Sequence, residues 1–304
     1  MSVRSILCML ALALTTAAPF ARQQERPTFA TQSELVVLHV AVEDRKGTYV
    51  SGLPQSAFTV YEDGQQQEVQ FFSAADTPAT IGVIVDNSTS MWNRREMVVA
   101  AAIGFTQLSN SEDEVFVLAF NEDVTEIWKP TLIRDTNPSR MRFMLLAGIG
   151  ARGKTALYDA IKLGLTRLET GRHTRQVLVL ISDGDDNAST AKVEDVLDMT
   201  RQAEAAIFTV ALRDPSDKAG NPKLLKRLAS ETGGEAFEPQ TLEDLPETLE
   251  HIARDIRSAY SIGYAPQASS AGRALRKLRV NVRGQNGRPL HARTRGGYVA
   301  RAAS

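Results

Sequence analysis

Five oxygen-bearing side chains stand at the ends of apolar runs in this 304-residue sequence: Asp86, Ser88 and Ser90 in "VIVDNSTS", Thr155 in "GKTALYDA" and Asp183 in "LVLISDGDD". Three hydroxyls and two carboxylates are hard donors. They suit Mg²⁺, Mn²⁺ or Ca²⁺ and offer none of the nitrogen or sulfur that zinc sites use. Two carboxylates formally balance one divalent ion, and an open coordination position would then accept a carboxylate from another molecule. Asp-x-Ser-x-Ser alone is a weak signal, expected by composition in roughly one chain in ten or twenty. It gains force by directly following a strand-like run and by being joined by Gly153-x-Thr155 and Ser182-Asp183-Gly184. The competing reading is that Ser88 and Ser90 only cap the next helix and Thr155 another.

The same stretches spell three other chemistries. "GIGARGKT" (Gly148 to Thr155) matches the nucleotide-binding loop G-x-x-x-x-G-K-[ST], which would make the protein a nucleotide hydrolase. That loop needs a strand running into its first glycine. The preceding "SRMRFMLLA" has no β-branched residue and places Met141, Met144, Leu145 and Gly148 at helical spacing, so a helix-to-helix link is expected. "DGDDNASTAKVE" sets Asp183, Asp185, Asn187 and Glu194 at calcium-loop positions, but Ala188 stands where the sharp turn requires glycine. Asp86 read as a phosphorylated nucleophile lacks a second carboxylate two residues on, where Ser88 stands. The four histidines (His39, His173, His251, His291) have no zinc-ligand spacing.

These residues need elements to hold them. "TIGVIVD", "EVFVLAF", "VLVLISD" and "AAIFTVAL" are short continuous apolar runs, the mark of strands buried on both faces. "EDVTEIW" extends the second as a hairpin. Between the runs lie helical patterns: Met91, Val98, Ala101, Phe105 and Leu108 on one face; Leu157, Ile161, Leu165 and Leu168 on another; Leu242, Leu245, Leu249, Ile252 and Ile256 on a third. Alternating strands and helices give an α/β fold, a doubly wound, mostly parallel, Rossmann-like sheet with helices on both faces. In such a sheet ligands bind beyond the carboxyl ends of the strands, where both aspartates are delivered. The flanks read as β: "ELVVLHVAVED" and "AFTVYEDGQQQEVQFF" before the core, "AYSIGYAP", "KLRVNVRG" and "RPLHARTRGGYVA" after it. Neither flank has enough strands to cover an apolar face alone. They are expected to form one small β-sandwich from which the α/β domain is inserted, with residues 34–75 and 258–304 as its two parts and 78–257 between them.

Hydrophobic residues make up 43% of the chain and the net charge is −1, the profile of a globular protein with a sizeable core. Residues 1–21 read as a secretory signal: Arg4, then the apolar Ile6–Leu14, then small residues, with cleavage expected near Ala18 to Ala21. Cys8 falls inside the apolar run, so the mature chain has no cysteine, and no later segment is apolar enough to span a bilayer. A secreted or periplasmic location is expected, where ATP is scarce. Ten basic residues and no acidic one follow Asp255. They read either as the solvated face of strands, since Leu278, Val280 and Val282 alternate with Arg279 and Arg283, or as a surface for an anionic polymer such as a polysaccharide. No aromatic interleaving supports nucleic acid.

From about Thr80 to Arg257 the chain resembles the von Willebrand factor A domain family. Its flanks are similar to those of bacterial secreted members known from acidobacteria. The resemblance implies that Asp86, Ser88, Ser90, Thr155 and Asp183 form a metal-ion-dependent adhesion site. Ser88, Ser90 and Thr155 would be direct donors to a divalent cation, Mg²⁺ first and Mn²⁺ or Ca²⁺ next, and the aspartates direct or water-bridged. It implies a non-enzymatic module that binds an exposed acidic residue of a partner protein. Two alternatives remain open at this point, the nucleotide hydrolase and a structural domain whose metal only steadies loops.

Overall fold

The computed structural model describes residues 35–148, 150, 153–212, 220–266 and 275–299. The signal segment 1–21 lies outside the described residues, as do Ile149, Ala151 and Arg152 of the glycine-rich stretch. In chain order the elements are β1 (Val36–Glu43), β2 (Phe58–Glu62), β3 (Gln65–Gln67), β4 (Val69–Ser73), β5 (Thr80–Asp86), α1 (Arg95–Leu108), β6 (Glu114–Phe120), β7 (Val124–Leu132), α2 (Pro138–Gly148), α3 (Leu157–Glu169) and β8 (Gln176–Ser182). They continue with α4 (Val193–Gln202), β9 (Ala206–Ala211), α5 (Pro222–Thr232), β10 (Ala236–Phe237), α6 (Leu245–Ser258), β11 (Tyr260–Tyr264), β12 (Leu275–Arg283), β13 (Pro289–Arg293) and β14 (Gly297–Val299).

The four apolar runs become β5, β6, β8 and β9 of a six-stranded sheet in the order β10-β9-β8-β5-β6-β7. All pairs are parallel except the β6–β7 hairpin. Every residue of β5 and β6 is buried, because helices cover both faces. One face packs Ile81, Val83 and Val85 against Val98, Ala101 and Phe105 of α1 and Leu245, Leu249 and Ile252 of α6. The other packs Ile84, Phe116 and Leu118 against Leu157, Ile161 and Leu165 of α3 and Leu224 and Leu228 of α5. Two residues depart from the expected helix faces. Leu108, at the last position of α1, and Met144, on α2, are each 39% exposed. Leu108 falls where the helix leaves the sheet, while its carbonyl accepts from Arg257.

Strands from the two flanks pair, but not as two separate sheets. They form one hydrogen-bonded path, β3-β2-β12-β13-β1-β11-β4, with β14 on β12. The corner is β1: Val36–Val40 pair with β11, and Ala41–Glu43 pair with β13. One strand thus serves both halves, and the bend lets their inner faces meet. Phe58 of β2 packs on Tyr260 of β11 and Phe72 of β4, at ring separations of 4.8 and 5.3 Å.

Arg279 and Arg283 of the basic C-terminal segment are exposed and alternate with the buried Leu278, Val280 and Val282, whereas Arg276 and Arg293 turn inward. Arg293 reaches Asp255 of α6, Glu235 at 3.1 Å and Glu43 of β1 at 3.8 Å, and donates to the Gly233 carbonyl at 3.0 Å. Arg276 pairs with Glu62, whose carboxylate also accepts from the hydroxyls of Tyr264 and Tyr298 at 2.5 and 3.0 Å. Gly233, at the end of α5, has φ +83°, and a Cβ there would lie 2.4 Å from the Arg295 nitrogen. The turn must be glycine for the C-terminal segment to lie against it. Among the described residues no helix is long and apolar enough to cross a membrane.

Candidate metal centre

β5 and β8 are parallel neighbours, with Val85 opposite Ile181, so Asp86 and Ser182 end their strands side by side. The Ser182 hydroxyl donates to Asp86 Oδ2 at 2.7 Å and accepts from the Gly184 N–H at 3.0 Å. Asp86 Oδ1 accepts the Ser88 N–H at 2.9 Å, an Asx turn that swings the chain over the strand end. The Ser88 and Ser90 hydroxyls lie 3.1 Å apart, and Ser90 donates to Asp183 Oδ2 at 2.6 Å. Four of the five sequence-predicted residues therefore form one connected cluster. Asp86 and Ser88 lie at its buried base, and Ser90 is exposed at its mouth.

Thr155 joins through its backbone. Its N–H donates to Asn187 Oδ1 at 2.9 Å, and its carbonyl accepts from the N–H groups of Asn187 and Ala188. Two residues earlier, the Gly153 carbonyl accepts from the Thr89 hydroxyl at 3.2 Å. The loop before α3 is thus laced to both aspartate-bearing loops, and Thr155 itself is buried. A further clamp comes from Gly220, where a Cβ would lie 2.4 Å from the Asp183 carbonyl. Only glycine lets the chain entering α5 approach so closely.

Sequence reasoning missed the supporting roles of Ser182, Asn187 and Asp186. Asp186 accepts from the Tyr158 N–H at 3.1 Å and the Ser189 hydroxyl at 2.5 Å, which holds the start of α3 to the β8–α4 loop. The serine next to a strand-ending aspartate and the Asn/Asp-rich loop were visible signals. Their partners lie 28 to 96 residues away and were not.

Burial pushes the Asp86 carboxyl up to about 6, and the charge of Asp183 adds to the rise, against hydrogen bonds from Ser88 and Ser182. No Lys or Arg among the described residues forms an ion pair with either aspartate. Two carboxylates and the hydroxyls of Ser88 and Ser90 therefore converge without an ion pair to a described Lys or Arg, a donor set that fits a hard divalent ion. Among the described residues no group of three or more His, Cys, Asp or Glu side chains is placed to hold a metal.

The competing motifs lose their geometry. Helix α2, not a strand, runs into Gly148, so the glycine-rich stretch does not present a strand-to-loop phosphate cradle. Lys154 is exposed, and its N–H points to Glu122 Oε1 at 3.3 Å. The calcium-loop pattern at Asp183 is entered from strand β8, and the N–H of Ala188 binds Thr155.

The von Willebrand factor type A domain profile matches residues 80–251. No curated protein matches the chain in sequence. Among solved structures, a von Willebrand factor type A protein from Catenulispora acidiphila superposes with a TM-score of 0.51 at 12% identity, over 88% of this chain and 75% of that one. A point mutant of the PilB minor pilin from Streptococcus sanguinis gives a TM-score of 0.50 at 11% identity, over 60% and 62%. At such identities the likeness is one of fold. A profile that spans more than half of the sequence, and begins at the strand carrying Asp86, establishes that this chain belongs to the von Willebrand factor type A domain family.

Proposed function

We propose that the protein is a non-enzymatic binding module of the secreted or periplasmic bacterial type, which holds a divalent cation at the carboxyl edge of its parallel sheet. The observation that carries this reading is the buried Asp86, faced by Asp183, hydrogen-bonded within a group of hydroxyls and given no counter-charge among the described residues. Ser88, Ser90 and Thr155 would supply hydroxyl oxygens, and Asp86 and Asp183 carboxylates, bound directly or through water. Mg²⁺ is the first candidate, with Mn²⁺ and Ca²⁺ next. When bound, the ion supplies an electrophilic position for a carboxylate of a partner protein. Trp92, two residues past Ser90 and 59% exposed, is an apolar anchor at the same rim, of the kind that interface cores favour.

The test is capture of partners from the native envelope with Mg²⁺ and again with chelator. A protein retained only with Mg²⁺, and lost when its acidic contact residue is neutralised, supports the reading. Retention unchanged by chelator contradicts it and favours a metal that only steadies loops.

A further inference from the structure

A polar cavity lies apart from the aspartate cluster, at the seam between the two sheets. It measures about 520 Å³ and is walled by α5, β10, β12 and the segment from His291 to Gly296. That volume is in the range of sites for small organic ligands. Four full cations line it, Lys226, Arg279, Arg293 and Arg295, against one carboxylate, Glu235. Arg293 is already matched by Asp255, Glu235 and Glu43. The other three have no carboxylate within ion-pair distance among the described residues.

Each of these three is nevertheless held in place or free to reach in. Arg295 donates to the backbone carbonyls of Gly297, Ala203 and Arg201 at 3.1, 3.2 and 3.4 Å, which position the guanidinium without neutralising it. Burial works against its charge, and Glu204 offsets this only in part. Arg279 lies over the Tyr61 ring at 4.8 Å, again with no countercharge. Lys226 projects from the exposed side of α5. The Thr294 hydroxyl, on a residue that lines the same cavity, is buried and has no hydrogen-bond partner among the described residues. A buried donor left unpaired costs free energy that a ligand oxygen would recover.

We propose that this cavity is a binding site for an oxyanion-bearing small group, held by Arg295, Arg279, Lys226 and the Thr294 hydroxyl. The shared chemistry is a carboxylate or phosphate on a body small enough to enter, either an acidic sugar unit or a phosphate. Because Lys226 comes from the α/β layer and Arg279 from the β layer, an occupant ties the two together.

Calorimetry and thermal melts in metal-free buffer test this, with inorganic phosphate, glucuronate and, as a neutral control, glucose. Either anion should bind and raise the melting temperature, glucose should not, and rising salt should weaken the effect. Tighter glucuronate binding identifies a sugar carboxylate as the source; tighter phosphate binding identifies a phosphate. Lys226→Ala and Arg279→Ala, both at exposed positions, should each weaken binding about tenfold. Thr294→Val should weaken it several-fold, and Lys154→Ala, at the other site, should leave it unchanged. No binding of either anion at tens of millimolar, an equal response to glucose, or unchanged affinity in both Lys226→Ala and Arg279→Ala overturns the proposal.

Discussion

Two clusters of buried charge in this molecule are solved in opposite ways. At the seam, Arg293 sits among Asp255, Glu235 and Glu43, and Arg276 beside Glu62, so that the protein supplies both signs. At the edge of the parallel sheet, Asp86 and Asp183 face each other across serine hydroxyls with no basic partner among the described residues. Desolvating a charge is costly in either place. Where the counter-charge is built in, the cluster is a structural tie; where none is found among the described residues, the proposed function assigns the place to a cation from solution.

The largest expected effect comes from breaking the self-neutralised side. Arg293→Met leaves a buried Asp255 and two further carboxylates unmatched, and should cost about 3–5 kcal/mol in urea unfolding. Mg²⁺ should still stabilise this variant by as much as it stabilises the wild type. A cost near zero would mean that the two clusters do not differ in the way described.

The metal side comes next. With Mg²⁺ at about a hundred times its Kd, the wild type should gain about 3 kcal/mol, and Asp86→Ala and Asp183→Ala should lose that gain. Thr155→Ala should lose most of it, and a full gain in Thr155→Ala would remove that loop from the site.

The pH dependence sharpens the contrast. Asp86, raised to about 6, binds a proton more tightly folded than unfolded. It therefore destabilises the metal-free protein at pH 7, and this penalty is relieved as pH falls from about 6 towards 4. Burial raises Asp113 and Glu235 as well. The part that belongs to Asp86 is therefore the difference from Asp86→Asn, which should melt higher than the wild type at pH 7 without metal. Saturating Mg²⁺ should reverse the trend, since acid then displaces the ion. A metal-free wild type that melts lower at pH 5 than at pH 7, with Asp86→Asn moving in parallel, would contradict this.

Smaller effects test the supports. Ser182→Ala removes the hydrogen bond to Asp86 and leaves the Gly184 N–H unpaired, at an expected cost of about 1–2 kcal/mol in chemical melts. Lys154→Ala should stay within about 0.5 kcal/mol and leave Mg²⁺ affinity intact, as suits an exposed residue.

How far the sequence reveals this follows from the range of each interaction. Asp86, Ser88 and Ser90 are close in the chain and directly follow a strand, so local pattern sufficed to place them together at the strand end. The parallel core was equally readable from its apolar runs and helix faces, and α2 from the absence of β-branched residues before Gly148. The corner at β1 was not, because it depends on which strand finds which partner across 220 to 252 residues. For the same reason, although the exposed strand face of Arg279 and Arg283 was readable, the inward turn of Arg276 and Arg293 was not. Their pairing with Glu62 and Glu43 joins opposite ends of the chain and leaves no mark in local composition.

The central claim is that the missing counter-charge at Asp86 and Asp183 is a divalent cation. Titration calorimetry of Mg²⁺ into the metal-free wild type and into Asp183→Ala tests it most directly. The account predicts saturable binding of one ion per chain to the wild type and none to the variant. Absence of binding to the wild type at millimolar Mg²⁺, or equal binding to both proteins, would contradict it.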